Sequence, residues 1–178
     1  MQYSYLYFYT STIYKWHPLI KKYDFYSLIL ESFSFLHKKE CIRIYGFVIM
    51  PNHIHLIWQL LQANGKESPA ASFHKFTAHH FESYIRKNNP EDLSNYLVNW
   101  HTRKYNFWQP EPYWFLLYKE STIIQKLNYL HMNPLQERWN LVNDPVKYPY
   151  SSAMFYETGV KNFDFLYDYR DFGVTYQF

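Results

Sequence analysis

Two apolar, β-rich runs joined by a proline turn constrain this chain more than any other feature. Residues 42–49 and 53–60 are each a strand's length, and Pro51-Asn52 between them is a turn signal. Together they read as an antiparallel hairpin. Residues 3–13 are rich in Tyr, Phe and Thr and read as a further strand. Pro18 opens a helical segment over 19–37 that carries Phe25, Leu28, Phe35 and Leu36. Residues 64–69 are polar and read as a loop. Residues 72–87 form an amphipathic helix with Phe73, Phe76, His80 and Tyr84, ended by Asn88-Asn89-Pro90. Short strands are expected over 104–108 and 113–118, while 92–102 has no clear pattern. Residues 122–132 are helical, with Ile123, Ile124, Leu127 and Leu130 as one apolar stripe and Thr122 with Gln125 as a capping box. Pro134 stops this helix. The order of elements predicts an α+β fold. Its core is a ferredoxin-like or RRM-like antiparallel sheet with helices on one face. The domain is expected over 1–140, with 141–178 as a C-terminal extension wrapped on it.

At 178 residues and 48% hydrophobic, the chain is long and apolar enough for one globular domain. A net charge of +3 permits a nucleic-acid partner without demanding one. Cys41 is the only cysteine, which excludes an internal disulfide. With no signal peptide and no apolar run long enough to span a bilayer, the chain is expected to be cytoplasmic, without a membrane partner. Aromatic residues make up 23% of the chain. Most of them fit the composition of an A+T-rich genome, yet base stacking needs only a few rings, and Trp100, Tyr105 and Trp108 are candidates.

The chemistry concentrates in two places. On a strand, alternate side chains share a face, so His53 and His55 point the same way while Ile54, Leu56 and Trp58 point into the core. Such a pair can chelate one metal, or it can be two surface histidines on a half-exposed strand near the sheet edge. On the last helix, Tyr129 and Asn133 are four residues apart and share a flank off the apolar stripe, beside Lys126. Asn133 can add a neutral oxygen to the imidazoles, and a mixed N/O set with open positions suits Mg²⁺ or Mn²⁺ on a phosphate. The Tyr129 hydroxyl can then attack phosphorus and form a phosphotyrosine. Candidate DNA contacts are Lys75, Arg86, Lys104, Trp108 and Lys126.

These motifs resemble a known family. Met50-Pro51-Asn52-His53-Ile54-His55 is similar to the His-hydrophobe-His motif of the small single-tyrosine DNA transposases. Asn128-Tyr129-Leu130-His131-Met132-Asn133-Pro134 resembles the Tyr-Ile-x-x-Asn-Pro motif of one branch, the REP-associated tyrosine transposases. Phe107-Trp108-Gln109 and Tyr150-Ser151-Ser152 resemble that branch's Leu-Trp-Gln and Trp-Ser-Ser segments. The match runs from about Tyr5 to Tyr156 in order and spacing. It departs at Leu135-Gln136-Glu137-Arg138-Trp139, where the family usually has Arg-Ala-Gly-Leu-Val, and at Tyr150, where it has Trp. The resemblance implies that His53, His55 and Asn133 are metal ligands and that Tyr129 is the nucleophile. It implies single-stranded or hairpin DNA as substrate, cut through a 5′-phosphotyrosine, and it admits a homodimer. A non-catalytic domain that holds single-stranded or hairpin DNA is the alternative. A metal hydrolase is a third class, but it normally adds a carboxylate, and neither motif has one beside it.

Overall fold

The computed structural model describes residues 5–100 and 103–172, so the expected strand start at Tyr3 and the last residues of the extension lie outside the described residues, as does the Trp100 side chain. In chain order the regular elements are β1 (Leu6–Thr12), α1 (Leu19–Lys22), α2 (Tyr26–Lys38), β2 (Ile42–Ile49), β3 (His53–Leu60), α3 (Pro69–Asn88), β4 (Leu97–Trp100), β5 (Arg103–Tyr105), β6 (Tyr113–Leu117), α4 (Glu120–Met132) and α5 (Ala153–Thr158). The main sheet is antiparallel in the order β2-β3-β1-β6, and β4 pairs with β5 in a separate ribbon. The β1-α2-β2-β3-α3-β6 path and this strand order are those of a ferredoxin-like domain, with the ribbon inserted before the last strand.

The sheet is buried on both faces. Phe33 of α2 and Phe73 and Phe81 of α3 pack with Tyr9, Leu56 and Trp58 on one side. Ile123, Leu127 and Leu130 of α4 pack with Phe8, Val48 and Ile57 on the other. Helices on one face thus describes α2 and α3, and α4 covers the face that such a sheet would otherwise expose. Every residue of β3 is therefore buried, His53 and His55 included. They are not surface histidines, and β3 is an inner strand rather than a sheet edge.

Local chemistry explains where the helices begin. The expected 19–37 helix is broken by Asp24, whose φ of 55° puts it in the left-handed region. Ser68 accepts a hydrogen bond from the Ala71 amide at 3.2 Å, so α3 starts at Pro69, ahead of the expected residue 72. Thr122 and Gln125 form no capping box. The Lys119 carbonyl accepts from the Thr122 and Ile123 amides, which places Thr122 inside the first turn. Ile124 leaves the apolar stripe and is exposed. Gly46 sits at a bulge in β2, where a Cβ would come 2.9 Å from Leu127 Cδ2. Its bare backbone lets α4 lie close on the sheet and so sets the height of Tyr129 above it.

The C-terminal segment closes the outer edge of β2. The Ile49 amide donates to the Tyr150 carbonyl and the Ser152 amide to the Phe47 carbonyl. The Phe47 amide donates to Ser152 Oγ at 3.0 Å, and Ile44 pairs with the Phe165–Tyr167 stretch. Tyr148 and Tyr156 donate from their hydroxyls to the Ile49 and Tyr45 carbonyls. No helix among the described residues is long and apolar enough to cross a membrane.

Candidate active site

At the His53 end of β3, His53, His55 and Tyr129 line one pocket of about 450 Å³ with Phe8, Thr10, Thr12, Trp16, Tyr113, Lys126 and Arg138. The strand places the two imidazoles side by side, 4.8 Å between ring centroids. From the other side, α4 sets the Tyr129 ring 5.3 Å from His55 and 6.1 Å from Phe8. The histidines are 3% and 5% exposed, whereas Tyr129 is 42% exposed, so its hydroxyl can meet a strand from solvent.

The histidines are oriented by hydrogen bonds. Asn52 Nδ2 donates to the Trp16 carbonyl at 2.9 Å, which turns Oδ1 toward His53 Nδ1 at 2.7 Å. An acceptor there requires Nδ1 of His53 to carry the proton, leaving Nε2 its lone pair. His55 Nδ1 shares a 2.6 Å hydrogen bond with Thr10 Oγ1. Burial is the main force that pushes the His53 pKa down to about 4. The Arg138 charge adds to it, and the nearby Asn133 amide opposes it. His55 is held well below the ordinary range by burial first, then by the charges of His53, Lys126 and Arg138. Both rings are therefore neutral near pH 7, the form that binds metal.

Asn133 lies one turn beyond Tyr129, at the C-cap of α4, and is fully buried. Its amide lies close enough to His53 to act on that ring's titration, yet neither Oδ1 nor Nδ2 makes a hydrogen bond of ordinary geometry, and His55 Nε2 has no partner. An orphaned buried polar atom costs about 1–3 kcal/mol, so three in one place are a substantial penalty. A cation held by the imidazoles and the amide oxygen would relieve much of it, and the donor set fits a divalent metal in that respect. Among the described residues no three His, Cys, Asp or Glu side chains gather as a metal site, so a metal here would need a third protein donor of another kind, for which the Asn133 amide is the candidate.

Of the other expected DNA contacts, only Lys126 is in this pocket, its Nζ 4.8 Å from the Phe8 ring. Lys75 pairs with Glu67 and Arg86 with Glu82 on the outer side of α3, and Lys104 is exposed on β5, beside Tyr105. Trp108 corrects the expectation of a stacking ring. It is 4% exposed, its Nε1 donates to Thr77 Oγ1, and it packs on Phe73 and His74. Its ring is taken up by these protein contacts and is not offered as an open stacking face. The Phe107-Trp108-Gln109 segment instead anchors the end of β1, where the Gln109 amide donates to the Thr12 carbonyl at 2.7 Å. Arg138 and Trp16 belong to the pocket and were not singled out in the sequence. Neither sits in a periodic pattern, so no spacing rule would have found them.

Two histidines outside the pocket make stability depend on pH. His74 bonds the Tyr9 and Ser11 hydroxyls, and His131 bonds Ser152 Oγ at 2.7 Å, tying α4 to the C-terminal segment. Burial lowers both pKa values from 6.5 to about 4, with Arg103 adding to the shift at His74. Between those values the unfolded chain binds more protons than the folded one. Their contribution is full above pH 6.5 and drains away as pH falls toward 4, at about 1.4 kcal/mol per unit for each ring. Thermal melts across that window should show Tm falling steeply. A flat Tm would show that these rings titrate normally.

No protein-family model and no curated protein sequence matches the chain. Among solved structures it is similar to a REP-associated tyrosine transposase bound to a REP hairpin, at TM-score 0.60 and 18% identity, covering 99% of this chain and 94% of that one. A second similar structure is a candidate transposase from Deinococcus radiodurans R1, at TM-score 0.40 and 16% identity, over 70% of this chain and 86% of that one. The chain therefore has, over nearly its whole length, the fold of a REP-associated tyrosine transposase.

Proposed function

We propose that this protein cleaves and rejoins single-stranded DNA as a tyrosine transposase, with Tyr129 as nucleophile. The observation that carries the reading is the convergence of His53, His55 and Tyr129, from two separate elements, on one pocket with Lys126 and Arg138. The shared fold supports the same class, and the REP hairpin held by the similar transposase supports single-stranded or hairpin DNA as the partner.

In this mechanism Lys126 and Arg138 draw a backbone phosphate into the pocket and offset its charge. Tyr129 Oη attacks phosphorus, the Oη–P bond forms, and the P–O3′ bond breaks in line. The phenol proton passes to solvent, and the departing 3′ oxygen takes one up. The 5′-phosphotyrosine keeps the energy of the phosphodiester, so an incoming 3′ hydroxyl can reverse the step without ATP. His53, His55 and Asn133 would hold Mg²⁺ or Mn²⁺, which when bound supplies Lewis-acid polarisation of the phosphate. Asn52 and Thr10 keep the imidazoles oriented for that task.

The lean ligand set, without a third His, Cys, Asp or Glu, favours a second reading in which the domain binds DNA and does not cut it. One assay separates the two. Single-stranded and hairpin oligonucleotides of mixed sequence are incubated with the protein and Mn²⁺, then run on a denaturing gel. A protein–DNA adduct is expected. Tight binding with neither adduct nor cleavage would favour the binding domain, and cleavage without adduct would favour metal-activated water.

A further inference from the structure

The turn that leads out of β1 holds two consecutive residues in the left-handed region, Lys15 at φ 52° and Trp16 at φ 60°. Neither is glycine, and a bulky side chain rarely adopts that conformation. Strain of this kind persists only where the surroundings fix it, and it concentrates at functional sites. Here the surroundings do fix it. The Ile13 amide donates to the Asn52 carbonyl at 2.8 Å, the Tyr14 amide to the Phe107 carbonyl at 2.8 Å, and Asn52 Nδ2 to the Trp16 carbonyl at 2.9 Å. The result of that restraint is a tryptophan that is 58% exposed at the wall of the Tyr129 pocket. No ring among the described residues stacks on it, although stacked and edge-on ring pairs recur elsewhere in the molecule.

We infer that Trp16 is a stacking platform for the unpaired base next to the phosphate that Tyr129 attacks. The inference rests on the reading that a single strand enters this pocket. The division of labour follows from the lining. Lys126 and Arg138 take the phosphate, and Trp16 offers a flat apolar face that a base can cover. The platform is also joined to the candidate metal site, because one side chain, Asn52, fixes both the Trp16 carbonyl and His53 Nδ1. A base that presses on Trp16 therefore bears on a segment bonded to the imidazole. Trp16 is a positioning residue for the nucleotide and takes no part in bond making.

The test is binding without cleavage, in a Tyr129→Phe background and metal-free buffer. The probes are a labelled oligothymidylate and an abasic phosphodiester strand of equal length. Trp16→Ala should weaken binding of the oligothymidylate about ten-fold, the loss of one base–aromatic stack. Trp16→Phe should restore most of it, and neither change should alter the abasic strand. Irradiation of a 5-bromouracil strand should tag the peptide that contains Trp16. Unchanged oligothymidylate affinity in Trp16→Ala overturns the inference and leaves the transposase reading standing. An equal loss on the abasic strand overturns it too, since the effect is then not on a base. If the parent binds neither strand, the single-strand reading fails together with it.

Discussion

Tyr129→Phe will leave the protein folded and able to hold single-stranded DNA, and it will lose all strand cleavage and adduct formation. The change deletes one oxygen from a side chain that is 42% exposed, and surface changes of that size shift stability by about 0.5 kcal/mol at most. The ring stays, so its contacts with Phe8 and His55 stay. Only the hydroxyl proposed as nucleophile goes, and phenylalanine cannot replace it in attack on phosphorus. A drop in cleavage of at least about 1000-fold is expected, the scale on which loss of a covalent catalyst is felt. Mass spectrometry of the parent adduct should place the phosphate on the peptide that contains Tyr129. Tyr148 and Tyr150 of the C-terminal segment carry the same hydroxyl. The fold disfavours both, since the Tyr148 hydroxyl is buried against the Ile49 carbonyl and Tyr150 is stacked on Tyr26 at 3.9 Å. The rival is Tyr113, 53% exposed and in the same pocket. Cleavage that survives Tyr129→Phe and disappears in Tyr113→Phe would move the nucleophile to β6.

The second large effect is expected at the histidines. The double change His53→Ala with His55→Ala should abolish Mn²⁺ binding by calorimetry and, with it, cleavage. Both rings are buried, so a fall in Tm is also expected from the space they leave. Thr10→Val and Asn52→Leu separate the two causes. Each keeps both imidazoles and removes the partner that orients one of them, Asn52→Leu also freeing the Trp16 carbonyl, and such changes weaken metal binding about 10- to 100-fold. The low His53 pKa adds a signature: protons should not compete with the metal at that ring until pH falls toward 4. Mn²⁺ heats that are unchanged in the double variant would remove the metal from this site.

The strength of each sequence signal decided how well it could be read. The hairpin of β2 and β3 was legible to the residue, because two apolar runs around a proline turn admit little else. The faces of α4 were legible only in part: Ile123, Leu127 and Leu130 are buried and Tyr129 lies off them, but Ile124, read into the stripe, is exposed, and Asn133, read onto the outer flank with Tyr129, is fully buried. What the hairpin could not show was that α4 returns to cover its second face. That return turns the two histidines from edge residues into buried ones. Trp108 was misread for a related reason: an aromatic beside Pro110 has no period, and only the packing of α3 tells core from surface. The caps were the weakest signal. Thr122 and Gln125 have the right spacing, but the chain enters the helix two residues earlier.

The strap that Tyr150–Ser152 and Phe165–Tyr167 lay along β2 has a bearing on the solubility of the chain. It occupies the amides of Ile44, Phe47 and Ile49, in a strand whose sequence, Ile-Arg-Ile-Tyr-Gly-Phe-Val-Ile, carries one charge in eight residues. Stripped of its strap, that strand is an apolar template with a single charge, Arg43, ready to pair with its own copy in another molecule. A chain cut short before Tyr150 would keep the whole ferredoxin-like path and every residue that lines the pocket, yet it would carry an open seam for self-assembly. The segment read from sequence as a wrapped tail thus covers that edge, and a form that lacks it is expected to self-associate more readily.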